Sequence, residues 1–171
     1  MQKEIYTERL FLRPLRAEDY IQAFRWCSDP EVNKFMSYGI YTDPQDVKEW
    51  LETLPFDDEY SYTYAIILKD SGEMIGSTGM YYHEDRDFWN FGYNLIPSMW
   101  NKGYATEATG ALVEYVRSIM DVKVIECEHA VDNPASGKVM EKLGLQHIGY
   151  GEYTKSDTGE VFISKVYRKE Y

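Results

Sequence analysis

Cysteine is nearly absent from this chain. Cys27 and Cys127 are the only two in 171 residues. Without metal-ligand spacing around them, neither a metal site nor a disulfide framework is expected. Basic residues are also short, with 18 Lys and Arg against 29 Asp and Glu and a net charge of −11. Nucleic acid is a poor partner for that balance, because its phosphates call for clustered cations. No apolar run approaches the ~18 residues a membrane-spanning helix needs. Met1 to Arg13 alternates charged and apolar residues and lacks the apolar centre of a signal peptide. No repeat, low-complexity tract or Pro/Gly/Ser linker interrupts the chain. The expectation is one cytoplasmic, metal-free domain spanning residues 1–171, with no membrane contact.

What the chain does have is an ordinary globular share of apolar residues, 44%, and an unusual number of tyrosines, 16. Hydroxyl-bearing rings should therefore line any cleft. The acidic surplus suits a cationic amine as partner, and equally suits a solvated surface.

Periodicity gives the order of elements. Ile5, Leu10, Leu12 and Leu15 sit in an opening strand, and Ala17 to Ser28 reads as a helix with Tyr20, Ala23, Phe24 and Cys27 on one face. Asp29-Pro30 ends it, and a short helix over Glu31–Met36 should follow. Thr42-Asp43-Pro44 starts another helix, with Val47, Trp50, Leu51 and Leu54 as its apolar side. Strands are expected at Tyr62–Leu68, Met74–Tyr82 and Phe88–Ile96, the first two joined by the turn Asp70-Ser71-Gly72-Glu73. Ala105, Ala108, Leu112, Val116 and Ile119 mark a helix over Gly103–Met120. A strand at Val122–Val131, a helix at Pro134–Leu143 stopped by Gly144, and strands at Gln146–Thr154 and Val161–Arg168 complete the chain. The sum is an α+β domain, a central, twisted, mostly antiparallel sheet with helices on both faces.

The stretch from Phe91 to Ala108 carries the chemistry. A strand ends, Pro97 stops its pairing, and a small-residue turn opens into the long helix. The first amides of that helix lack intrahelical acceptors and make an anion site with the positive end of the helix dipole. Gly103 admits a close approach by a diphosphate, Ala105 is nearly as small, and Lys102 adds a mobile positive charge.

Trp100-Asn101-Lys102-Gly103-Tyr104-Ala105-Thr106-Glu107-Ala108 resembles the coenzyme A pyrophosphate loop of the GNAT acetyltransferases, in the form of the RimJ/RimL-type branch. Thr7 to Leu15 is similar to that branch's opening strand, and Gly76 falls where the family has a glycine in a hairpin strand. Asn133-Pro134-Ala135-Ser136 with Glu141 to Leu145 resembles its second cofactor motif. The resemblance implies the GNAT fold and transfer of an acetyl group from acetyl-CoA to an amine. The acceptor would be a peptide or protein N-terminus or a small cationic amine. A homodimer is implied as well, since dimers are common in the family.

It further implies that the Leu95 and Ile96 backbone holds the pantetheine arm, that Trp100 to Thr106 holds the diphosphate, and that Asn133 contacts the arm or caps its helix. Many family members place a proton-donating Tyr seven residues after that Asn, where this chain has Met140. Ser136 is the alternative donor to the leaving sulfur, unless it bonds its own backbone. Glu128 matches a Glu used as base in some N-terminal acetyltransferases, and alternation puts Glu126 on the same strand face, where two acids interact or are simply solvated. Asn90 stands where the branch has Glu. His129 and His147 have no spaced partner and suit packing or the surface. Tyr38, Tyr41, Trp89, Tyr93 and Tyr153 are expected walls of an acceptor cleft. Met140 and Asn90 leave open a non-catalytic module that binds acyl-CoA without turning it over.

Overall fold

The opening segment of the chain folds as two short strands rather than one. Thr7 closes a turn on Leu10: its N–H donates to the Leu10 carbonyl at 3.0 Å and its hydroxyl accepts from the Leu10 N–H at 2.9 Å. This separates β1 (Ile5–Tyr6) from β2 (Leu10–Pro14). The computed structural model describes residues 2–171. The next expected helix begins as a 3-10 turn at Ala17–Asp19 and continues as α1 (Tyr20–Cys27). Asp29 accepts from the amides of Glu31 and Val32 and so caps α2 (Pro30–Asn33), which is shorter than Glu31–Met36. The carbonyls around its C-terminal end bond the last part of the chain: Lys155 Nζ donates to Asn33 O at 2.7 Å and Tyr153 Oη to Phe35 O at 2.6 Å. Asp43, not Thr42, caps α3 (Pro44–Glu52).

β3 (Ser61–Leu68), β4 (Met74–His83) and β5 (Phe88–Leu95) follow, each antiparallel to the strand before it, with β3 beside β2. A 3-10 turn at Pro97–Met99 leads to α4 (Tyr104–Ile119), and β6 (Val124–Ala130) then returns beside β5 in parallel. After α5 (Pro134–Lys142), β7 (Gln146–Thr154) and β8 (Val161–Glu170) close the sheet. Its order is β1-β2-β3-β4-β5-β6-β8-β7, antiparallel throughout except at β5–β6. This is the expected mostly antiparallel α+β architecture.

Side-chain parity sorts the two faces, because directly paired residues project to the same side. Thr78 meets Thr109 of α4 at 3.1 Å, and the rings of Tyr62 and Tyr64 meet Tyr115. Met80, Phe91 and Tyr93 share that face by register. Asn90, Gly92 and Asn94 point to the other side, where Tyr38 reaches Asn94. Leu10, Leu12, Ile66, Leu112 and Ile125 are wholly buried. Burial of such a side chain contributes ~1.5–3 kcal/mol. Ala108, Leu112 and Val116 form the buried stripe of α4 as expected, whereas Ile119 in its last turn is 52% exposed.

Candidate active site

β5 and β6 share a single register pair, Trp89 with Ile125. Two residues further along, the Cys127 side chain stands between the strands. The Phe91 amide donates to Cys127 Sγ at 3.3 Å and the thiol donates to the Phe91 carbonyl at 3.7 Å. A side chain in place of a backbone rung forces the strands apart beyond this point. Ile96 donates its amide to Ile75 of β4 at 2.9 Å, so alternation turns the amides of Tyr93 and Leu95 toward β6 and into the gap. Of the Leu95 and Ile96 backbone expected to hold the pantetheine arm, the Ile96 amide is thus engaged with β4 and the Leu95 amide is turned toward the gap. The Leu95 carbonyl accepts from Trp100 Nε1 at 2.9 Å, which pins the following turn to the strand end.

That turn passes through two left-handed residues, Asn101 (φ 60°) and Gly103 (φ 82°). Gly103 is the residue preceding α4, and no side chain caps the helix. The leading amides of α4 therefore face outward at the gap. Lys102 is exposed beside them. Arg9, which the sequence did not single out, braces this turn from β2. Its Nε donates to Glu107 at 2.7 Å, its Nη1 to the Lys102 carbonyl at 2.9 Å, and its guanidinium lies 4.4 Å from the centre of the Tyr104 ring. Glu107 also accepts from the Thr7 hydroxyl at 2.6 Å and the Arg9 amide at 2.9 Å. Burial works against the Glu107 charge, but these donors and the Arg9 charge outweigh it and hold the carboxyl below its ordinary value.

On the α4 and α5 side of the gap, three side chains converge. Tyr93 Oη donates to Ser136 Oγ at 3.2 Å, and Asn133 Nδ2 donates to the same oxygen at 3.1 Å. Asn133 makes no side-chain cap on α5. Ser136 is not bonded to its own helix carbonyls. Met140, where the family's usual Tyr would stand, is 4% exposed and part of the core.

On the other face of the sheet, Glu128 of β6 is an exposed carboxylate whose Oε2 accepts from Ser164 Oγ of β8 at 2.5 Å. Glu126 shares its face as alternation requires, but Arg86 at 2.8 Å and Arg168 at 3.3 Å compensate its charge. Tyr38 donates to Asn94 Oδ1 at 3.1 Å, and burial pushes its phenol well above the ordinary value. Tyr41 is half-buried with its ring near Trp50, and Tyr153 stacks on Phe162 while holding the Phe35 carbonyl. Two of the expected acceptor walls are placed differently from these. Trp89 is 3% exposed and packed among Tyr60, Tyr62 and Tyr82 at the paired end of the gap. Tyr93 turns to Ser136 and away from the other tyrosines. His129 is buried with Nδ1 2.8 Å from the Ala130 carbonyl, and His147 packs on Tyr150 and Tyr167. Arg9, Asn94 and Ser164 had no sequence signal, since their partners lie tens of residues away.

A strand end with free amides, followed by a glycine turn and an uncapped helix, fits an amide-bearing arm that ends in a diphosphate. Among the described residues no group of three or more His, Cys, Asp or Glu is placed to hold a metal ion, and no helix is long and apolar enough to cross a membrane.

Comparison with known proteins agrees with that fit. The Acetyltransferase (GNAT) domain matches residues 9–146. An uncharacterized N-acetyltransferase of Bacillus licheniformis, p20, is 29% identical across 98% of this chain and 97% of its own. An acetyltransferase of the GNAT family from Bacillus anthracis superposes with a TM-score of 0.85 at 24% identity, covering 98% of both chains. RimL, a ribosomal L7/L12 alpha-N-protein acetyltransferase solved in complex with coenzyme A, superposes at 0.79 with 17% identity and 98% coverage of both. The chain belongs to the acetyltransferase (GNAT) family and is an acetyl-CoA-dependent acetyltransferase.

Proposed function

We propose that this enzyme transfers the acetyl group of acetyl-CoA by direct attack of a primary amine, and that it belongs to the RimJ/RimL-type branch of its family. The observation that carries the proposal is the gap between β5 and β6, which has free amides at Tyr93 and Leu95 and opens onto the Gly103 turn. The amides of Tyr104, Ala105 and Thr106, with Lys102, hold the diphosphate; Asn101 and Trp100 shape the turn. The Leu95 and Tyr93 amides receive the arm, and one of them polarises the thioester carbonyl as charge builds on its oxygen. RimL, to which the chain is similar in fold, is a ribosomal L7/L12 alpha-N-protein acetyltransferase.

The amine must lose a proton to attack, because its pKa is ~8 for an α-amine and ~10.4 for a lysine-type amine. Glu128 is the base, exposed on the acceptor side and held by Ser164. Tyr38, Tyr41 and Tyr153 flank the amine's approach. Ser136, on the cofactor side, hydrogen-bonds the departing sulfur, whose thiol has a pKa near ~8.5 and needs only a weak donor. A cationic acceptor suits the net charge of −11. Nothing specific favours a module without turnover: Met140 is a core residue, and Ser136 occupies a place from which a hydroxyl can serve instead.

Isothermal titration with acetyl-CoA, with Gly103→Asp alongside, tests the cofactor half. Saturable binding that the variant loses supports it, and an absence of wild-type binding overturns it. A screen of peptide N-termini and polyamines for thiol release then tests the acceptor.

A further inference from the structure

Ser136 can donate one hydrogen and accept two. Both acceptor positions are filled. The Tyr93 hydroxyl reaches Ser136 Oγ at 3.2 Å from β5, and the Asn133 amide reaches it at 3.1 Å from the residue preceding α5. Its hydrogen is not taken by a backbone carbonyl of its own helix. Two donors from opposite banks of the gap thus leave the hydrogen one direction, into the space between β5 and α5.

We propose that Tyr93 is a positioning residue for the leaving group: with Asn133 it fixes the Ser136 hydroxyl as a donor aimed at the cofactor's sulfur. It does from β5 what an acid on α5 cannot do here, because Met140 fills that helix position with a core side chain. The inference rests on the acetyl-transfer function proposed above.

The proton and electron balance is simple. The nitrogen–carbon bond forms as Glu128 takes the amine's proton. The carbon–sulfur bond breaks with its electron pair going to sulfur, and the Ser136 hydrogen bonds that thiolate without being transferred. Solvent supplies the thiol proton and takes back the one on Glu128. Tyr93 keeps its own proton throughout, consistent with burial pushing its phenol up from the ordinary value. A donor that never ionises polarises the Ser136 hydroxyl at every working pH.

Two measurements on Tyr93→Phe, Ser136→Ala and the double variant test this. The first is titration of the thiol of bound coenzyme A, followed by ultraviolet thiolate absorbance, which needs no acceptor. Tyr93→Phe and Ser136→Ala are expected to raise the bound thiol's pKa, with the double variant no higher than Ser136→Ala alone. The second is kcat, expected to fall about tenfold in Tyr93→Phe with the KM for acetyl-CoA unchanged, and no further when Ser136→Ala is already present. A side chain that only supported the fold would move KM and kcat together and add to Ser136→Ala. If Tyr93→Phe titrates like wild type, or if its effects add to those of Ser136→Ala, the inference is overturned while acetyl transfer stands. If the thiol responds as expected but wild type acetylates no amine, the placement of Ser136 is supported and the transfer function fails.

Discussion

Ser164, wholly buried, donates its hydroxyl to Oε2 of Glu128 at 2.5 Å across adjacent strands. A carboxylate that would otherwise sweep a wide arc is held over β8 by that bond. Gly151, paired with Ser164, completes the arrangement, because a Cβ there would lie 3.2 Å from Ser164 Oγ and 3.5 Å from Glu128 Oε2. Glu128→Gln is expected to lower kcat by at least ~100-fold, the usual contribution of a general base, without weakening acetyl-CoA binding. Ser164→Ala should cost about tenfold, because the base remains but is no longer oriented. Steady-state rates beside isothermal titration separate these outcomes. Equal rates in Glu128→Gln and wild type would remove Glu128 from the mechanism.

Gly103 takes a φ of +82°, and a Cβ on it would also come within 3.3 Å of Arg9 Nη2. Gly103→Ala should strain the turn by about 1 kcal/mol or more and weaken acetyl-CoA binding several-fold. Gly103→Asp adds a negative charge beside the diphosphate and should weaken it far more. A titration series of the two variants reads the difference.

Glu107 braces the same turn from within α4. Its folded-state pKa lies below the unfolded one, so its contribution to stability is present above the unfolded value of ~4.3 and is lost as pH falls through the folded value. The melting temperature of Glu107→Gln should therefore fall short of wild type near pH 7, and the two should converge as pH falls below the ordinary carboxylate range. A gap between them that stays constant across this range would show that the Glu107 charge plays no part.

Trp89 is expected to behave as a core residue. Trp89→Ala should destabilise the fold by ~3–5 kcal/mol in denaturant unfolding, the range for a buried aromatic. Acceptor KM in the folded fraction should not change. A selective rise in that KM would return Trp89 to the cleft.

Cys27 and Cys127 are both buried, and burial pushes each thiol up to about 12. Neither should react with a thiol reagent at pH 8 in the native protein, and both should react after unfolding. The same reagent then reports only coenzyme A release in a rate assay. Native-state labelling of either cysteine would contradict the burial.

Much of the fold was legible because period and punctuation are local. The buried stripe of α4, the helix break at Asp29-Pro30, the helix start at Thr42-Asp43-Pro44 and the stop at Gly144 all depend on residues within one or two turns. Trp89 and Tyr93 show where that legibility ends. Both project to the α4 face of β5, four residues apart, and alternation treats them alike. One lies where β5 still meets β6 and is packed away; the other lies where the strands have parted and reaches across to α5. Only the divergence of the strands distinguishes them, and that comes from Cys127, 36 residues downstream of Phe91. Arg9 with Glu107 and Ser164 with Glu128 are invisible for the same reason, being bonds between segments that only the folded sheet brings together. The Gly103 turn was visible because its glycine, its lysine and the helix start that follows are sequence neighbours, although the Arg9 brace on it was not.

Main-chain amides normally find their partners within the chain. Beyond Phe91 the β5–β6 ladder stops short, and under the proposed function the next partner for the Tyr93 and Leu95 amides is the cofactor. Pantetheine carries two amide groups, spaced along a flexible thread like those of a short peptide. It can be received as a fragment of a ninth strand, recognised by the same hydrogen-bond grammar that assembles the other eight. Folding and recognition then share one ladder, and amide hydrogen exchange at Tyr93 and Leu95 becomes a direct gauge of whether the guest strand is in place.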